Sequence, residues 1–357
     1  MDHGSCSFRH SLRPFQSKYR MIATTPADIL RFALDRSREG AGTILVTLTA
    51  IEGSSPRAIG AQMAVAEDGR YVGSFSGGCI EAAVVAEAIG TLADSRAKRV
   101  RFGAGSPYLD IRLPCGGGID LLFNPRPDPD AIAGVLCRHD RRKPAALRLA
   151  EDGVFLEAVS EGDCADWRDG GFRLYYAPTL RIVAIGQGEE LTALARLAKS
   201  YGADVSLLSP DERALADLTA EGFDTVRLTV RTSLPPVRTD AWTAILSVFH
   251  DRDWEEELLP LALRLPSFYI GAIGSRRTQD IRLDTLRAAG VPEDLRRKLR
   301  TSVGLIPATR DPATLALSAL SQIVQEYHRI GCISASSDEA ADAYAQHDDL
   351  IDQALRA

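Results

Sequence analysis

From residue 179 onward the chain alternates short apolar runs with longer amphipathic ones, and this rhythm restricts the fold more than any other feature. "LRIVAIG" (180–186) reads as a buried strand and "EELTALARLAKSYG" (189–202) as a helix. "ADVSLLS" (203–209) and "DERALADLTAEG" (211–222) repeat the pair. "WTAILSVF" (242–249) and "SFYIGAIG" (267–274) are further strands, each leading into a helical pattern. Strands separated by helices run parallel, because each helix carries the chain back to the edge it started from. The expected product is a Rossmann-like, doubly wound parallel sheet. The last strong helix is "DPATLALSALSQIVQEYH" (311–328), with Asp311 as N-cap, Pro312 at N1, and Leu315, Ala319, Ile323 and Tyr327 on one face.

The front of the chain has a different rhythm. "TTPADILRFALDRSREG" is a capped helix, with Thr25 as N-cap, Pro26 at N1, Asp28 at N3 and Gly40 past its end. "GTILVTLTAI", a hairpin turning at Asp68–Gly69, a helix from Cys79, strands over "KRVRF" and "GIDLLFNP", a helix, and a second hairpin follow. Hairpins mixed with helices indicate an α+β domain. The fold class expected is therefore α/β, with an N-terminal α+β domain over 21–160, a polar linker over 161–178 and the Rossmann-like domain over 179–331. Residues 1–20 are expected to be disordered, with the start at Met1 or Met21 left open, and 332–357 form a loose acidic tail.

A chain of 357 residues holds two such domains. Its net charge of −6 argues against nucleic acid as the main partner, and no apolar run is long enough to span a bilayer. Six cysteines without Cys-x-x-Cys or zinc spacing, and no export signal, point to a reducing cytoplasm.

The chemistry-bearing segments are few. "SFSGGCIEA" (74–82) and "LPCGGGID" (113–120) set Cys79 and Cys115 against glycines in mirror order. Cys79, read at the end of a strand and the start of a helix, would feel the helix dipole, and Gly77 and Gly78 would leave N–H groups open to an anion or oxo group. Gly116 and Gly117 stand in the same relation to Cys115. The plainer reading of each is a cysteine under a tight turn. "GSSPRAIG" (53–60) offers Ser54, Ser55 and Arg57 for an oxyanion, or is an ordinary turn.

In the second domain Gly186-x-Gly188 begins a dinucleotide pattern, but Leu191 holds the third glycine's place and Glu189 and Glu190 occupy the helix start. Ser209 stands where an acidic residue would end the second strand, with Asp211 two residues on. NAD(P) is thereby disfavoured. His250, in "FHDRD", lies at the ligand-binding edge of a parallel sheet, as do Ser275, Arg276 and Arg277, which open a helix. The plainer readings are a structural loop histidine and a helix cap with solvated arginines. The rival functions are an NAD(P)-dependent oxidoreductase with His250 as proton relay, and a scaffold that binds only proteins.

In order along the chain, "GSSPRAIGAQMAV", "GRYVGSFSGGCIEAAV", "CGGGIDLLFNP", "LRIVAIGQGEELTALARLA", "FHDRD", "FYIGAIGSRR" and "DPATLALSAL" resemble the XdhC family, the xanthine dehydrogenase accessory proteins. The similarity runs over about residues 25–328. It implies a chaperone that binds the molybdenum cofactor while a cysteine desulfurase supplies its terminal sulfur. The chaperone then delivers the cofactor to a xanthine dehydrogenase-type molybdenum hydroxylase. It also implies a cytoplasmic protein, often a homodimer, that is not itself an enzyme. On this likeness Cys79 and Cys115 are the cofactor contacts, including a molybdenum contact, and Arg57, Arg276 and Arg277 are candidates for phosphate or pterin. The sequence departs from the family where Glu189 replaces a histidine, at Ser209, and at "GLIPA" (304–308).

Overall fold

The computed structural model describes residues 24–106, 116–159, 165–300 and 302–331. Cys115, the segment 1–20, and the tail from Cys332 lie outside the described residues. The chain divides into two compact units, one holding Thr24–Ala177 and the other Pro178–Ile330.

The first unit begins with α1 (Pro26–Arg38), closed by a capping box in which Thr25 and Asp28 each take the other's backbone N–H. Then come β1 (Thr43–Glu52), β2 (Gln62–Ala66), β3 (Tyr71–Gly73), α2 (Glu81–Asp94), β4 (Lys98–Gly103) and β5 (Gly118–Pro125). The five strands form one antiparallel sheet in the order β3-β2-β1-β5-β4. The unit ends with α3 (Pro129–Asp140), β6 (Ala145–Ala150), β7 (Gly153–Glu157), β8 (Asp166–Arg168) and β9 (Gly171–Tyr176). These last strands make a second sheet, β7-β6-β9-β8.

The alternation within β1 explains the layers. Ile44, Val46 and Leu48 face Val84, Ala88 and Leu92 of α2. Leu45, on the opposite face, packs with Leu30 and Leu34 of α1, Ile132 of α3 and Leu147 of β6. A strand covered on both faces reads as a continuous apolar run, as "TILVTL" does.

Residues 166–176 depart from the expected linker, because they form the hairpin β8–β9. Phe172 is fully buried and Trp167 meets it edge-on. A polar flank and paired glycines at the turn disguised a strand whose apolar residues alternate. Tyr176 of β9 donates its hydroxyl to Gln62 Oε1 of β2 at 2.7 Å, and Gln62 Nε2 donates to Thr47 Oγ1 at 3.0 Å. Burial pushes the Tyr176 hydroxyl pKa well up, so it remains a neutral donor. Tyr176→Phe should leave Gln62 Oε1 unsatisfied and cost about 1–3 kcal/mol in denaturant unfolding of this unit.

The second unit comprises β10 (Arg181–Gly186), α4 (Glu189–Tyr201), β11 (Asp204–Ser209), α5 (Glu212–Ala220), β12 (Asp224–Arg227), β13 (Thr243–Val248), α6 (Arg252–Ala262), β14 (Tyr269–Ala272), α7 (Arg276–Ala288), α8 (Glu293–Arg296), β15 (Leu299–Arg300) and α9 (Pro312–Ile330). Its sheet runs β12-β11-β10-β13-β14-β15, parallel throughout. That is the Rossmann order, with its switch point between β10 and β13. α9 packs on α4 and is pinned by Tyr327, whose hydroxyl donates to the Pro178 carbonyl at 2.7 Å. Asp311 caps α9 as expected, accepting from the Thr314 N–H at 2.8 Å. The α+β unit followed by a Rossmann-type sheet is the fold class the sequence predicts.

Candidate functional site

Pairing registers bring the candidate loops of the first unit to one end of its sheet. Gly118 lies opposite Glu52 and Gly103, and Met63 opposite Gly73. Three connections therefore leave this end: 53–61 after β1, 74–80 after β3, and the link from β4 to β5.

Their contacts are close. A Cβ on Gly117 would lie 2.7 Å from the Glu52 carbonyl oxygen and 2.8 Å from that of Ser54, so the two backbones approach as only glycine allows. Arg101 of β4 pairs with Glu52, lies 3.5 Å from Asp120, and donates Nε to the Ala104 carbonyl at 2.6 Å. Arg57 reaches across to the next loop. Its Nε donates to the Ser74 carbonyl at 3.0 Å and Nη2 to Ser74 Oγ at 3.4 Å, while its N–H donates to Ser55 Oγ at 3.2 Å. Ser54 is exposed at the start of the same loop.

The Cys79 loop corrects the sequence reading in two respects. The strand stops at Gly73 and the helix begins at Glu81, with Ile80 as N-cap, so Cys79 sits in a loop rather than on a strand–helix junction. The amides expected to be open to an anion are also occupied. Glu81 Oε1 accepts from the N–H groups of Phe75, Ser76 and Gly77 at 2.9, 2.8 and 3.2 Å. Glu81 Oε2 accepts from those of Gly78 and Ile80 at 2.8 and 3.3 Å, and from Ser76 Oγ at 2.8 Å. Burial of Glu81 opposes its ionisation. The bonds from Ser76, and those from its own backbone and Phe75, outweigh it and hold the carboxyl down at about 2. The group is thus anionic throughout the neutral range.

What remains presented is sulfur. Cys79 is exposed, and its N–H donates to Ser76 Oγ at 3.0 Å. Gly77, Gly78 and Gly116 are exposed, and a Cβ on any of them would meet nothing within 4 Å. A soft thiol on an open turn suits a soft metal centre. Cys137, the other described cysteine, is half-buried in α3. Among the described residues no group of three or more His, Cys, Asp and Glu could hold a metal ion.

Glu81 was missed as a site residue. Its signal was present: paired glycines form a cradle of N–H groups, and an acidic residue at the first helical position is the nearest anion to fill it.

The Rossmann candidates lie in the other unit. Gly186 is a packing residue, since a Cβ there would lie 2.7 Å from the carbonyl carbon and oxygen of Val248 on β13. Gly188, at φ +89°, is the N-cap of α4. His250 is exposed, and its Nε2 lies 3.0 Å from Glu190 Oε1, so the chain's own carboxylate stands at the switch point. Asp211 caps α5 through the N–H groups of Arg213 and Ala214 at 3.1 Å. Ser275 caps α7, accepting from the Thr278 N–H at 3.2 Å, and Arg276 and Arg277 are exposed on its first turn. Among the described residues no helix is long and apolar enough to cross a membrane.

Residues 37–103 match the model of the XdhC and CoxI family, and residues 182–323 match that of the XdhC Rossmann domain. The molybdenum cofactor insertion chaperone PaoD of Escherichia coli (strain K12) is 36% identical over 295 residues, which is 83% of this chain and 86% of that protein. The uncharacterised protein YqeB of the same organism is 24% identical over 290 residues, or 76% of this chain and 41% of YqeB. A crystal structure of a xanthine dehydrogenase from Bacillus halodurans superposes with a TM-score of 0.66 at 21% identity, covering 87% of this chain and 98% of that one, and so shares the fold.

Proposed function

This chain belongs to the XdhC and CoxI family, and from that premise we propose that it is a molybdenum cofactor insertion chaperone, an accessory protein rather than an enzyme. The observation that carries the reading is its likeness to PaoD over most of both chains. The exposed Cys79 residue supports it, because a thiolate is a fitting ligand for molybdenum. In the fuller form of the proposal the chaperone holds the cofactor through Cys79 and Cys115 while a cysteine desulfurase supplies the terminal sulfur. It then passes the cofactor to a xanthine dehydrogenase-type molybdenum hydroxylase in the cytoplasm, acting as a homodimer. Arg57, with its link to Ser74, and the exposed pair Arg276 and Arg277 are the cationic groups proposed for phosphate or pterin.

The parallel strand order and the Gly186-x-Gly188 turn are features that favour an NAD(P)-dependent oxidoreductase. Against it stand Leu191 in the third glycine's place and Glu190 at the helix start, held by His250 where a pyrophosphate would lie.

The test is purification of the full chain from cells with an active molybdenum cofactor pathway, followed by metal and pterin analysis. Molybdenum and pterin in a common ratio are expected. Material free of both, from cells that load an apo-hydroxylase normally, overturns the proposal.

A further inference from the structure

The two glycines before Cys79 serve a ligand inside the chain. Five N–H groups, from Phe75, Ser76, Gly77, Gly78 and Ile80, converge on one carboxylate. In a loop, successive N–H groups converge on one point where the backbone departs from regular strand angles, and Gly77 and Gly78 stand at φ +77° and +129°. Space is not the reason for glycine here, since a Cβ at either would meet no atom within 4 Å. Glu81 is 4% exposed, so its carboxylate sits under the loop and not beside it.

We propose that Glu81 is the positioning residue of the Cys79 thiol: a built-in anion that fills the cradle, fixes the loop and bars external oxyanions from it. The identity of the thiol's ligand rests on the function proposed above; the positioning does not. Ser76 is the link. Its hydroxyl donates to Glu81 Oε2 at 2.8 Å and accepts the N–H groups of Cys79 at 3.0 Å and Ile80 at 3.1 Å. The backbone of Cys79 is thus tied to the carboxylate through one oxygen, and the sulfur faces solvent. Without the carboxylate, converging amides have no counter-charge. The loop then opens or takes a small anion from solution.

The experiment uses full-length Glu81→Ala and Glu81→Gln, with sodium formate as probe and sodium chloride as control at equal ionic strength. Two quantities are read: the thermal midpoint, and the rate of Cys79 carbamidomethylation followed on its own peptide by mass spectrometry. Glu81→Ala is expected to melt lower and to change the Cys79 rate by about threefold or more, the scale of one lost charge contact at a helix start. Formate should reverse both changes saturably. Glu81→Gln fills the space without the charge, and is expected to show the altered rate without formate rescue. A Glu81→Ala protein indifferent to formate, or a Glu81→Gln protein with the original Cys79 rate, overturns the proposal. If Glu81→Ala does not fold, Ser76→Ala decides: an unchanged Cys79 rate there is equally fatal. All these readouts are taken without cofactor. Rescue by formate alongside a chain that purifies without molybdenum would leave the positioning role standing and remove the chaperone function.

Discussion

Cys79→Ala protein, purified from cells with an active molybdenum cofactor pathway, should carry at least about tenfold less molybdenum and pterin than the unaltered chain, on the scale seen when a metal site loses a directing group. The physical ground is that the Cys79 loop has no other free soft donor. Its amides at 75–78 and 80 are bound to Glu81, the Cys79 amide is bound to Ser76, and Cys79 itself is exposed. Stability should barely change, because an exposed side chain contributes little packing. Equal thermal midpoints for the two proteins would show that the loss is one of ligation. Cys137→Ala, in α3, serves as the control and should retain its cofactor. Cys115→Ala tests the second sulfur in the same way. Full cofactor content in both Cys79→Ala and Cys115→Ala would remove sulfur from the mechanism.

The largest stability effect is expected in the Rossmann unit. Arg282 of α7 and Glu255 of α6 are each 6% exposed, with Arg282 Nη2 at 2.7 and 2.9 Å from the two carboxylate oxygens. Ser247 Oγ donates to the same carboxylate at 3.2 Å, and Arg282 also donates to the carbonyls of Ile273 at 2.8 Å and Ala272 at 3.4 Å. The pair ties α6 and α7 to the end of β14, next to the loops that carry His250 and Ser275. Arg282→Met removes one charge and strands the other in an apolar layer, which should cost about 3–5 kcal/mol. For a unit of this size that is about 6–20 °C in its thermal transition. The double variant Arg282→Met/Glu255→Leu should recover most of the loss, since two apolar side chains in place of a buried pair are close to neutral. A single variant within about 1 kcal/mol of the original, against the several expected for an isolated buried charge, would mean that water reaches Glu255.

Much of this was readable along the chain. Thr25, Pro26 and Asp28 mark the start of α1, and Asp311 and Pro312 that of α9, because capping depends only on residues three or four apart. The parallel sheet followed from the alternation after residue 179, since a helical crossover leaves a strand little choice of direction. The hairpin β8–β9 was not legible. It is held by pairing with β6 and by Phe172 and Tyr176 in a core assembled from distant segments. The site followed the same division. The unusual character of Cys79 was visible in its glycines, but the partner of those glycines was misjudged.

Sequence by itself therefore determined most of the elements, the caps of α1 and α9 and the parallel, Rossmann-like sheet, and it singled out the segments proposed to carry chemistry, all of which depend on local periodicity or on short-range hydrogen bonds. Only tertiary structure decided which groups meet. It brought the loops at 53–61 and 74–80 to one sheet end, joined Glu255 to Arg282, and turned the Gly77–Gly78 amides inward onto Glu81. The reason is that a hydrogen bond or ion pair is set by the direction and distance of its atoms, and the folded backbone, not spacing along the chain, sets those.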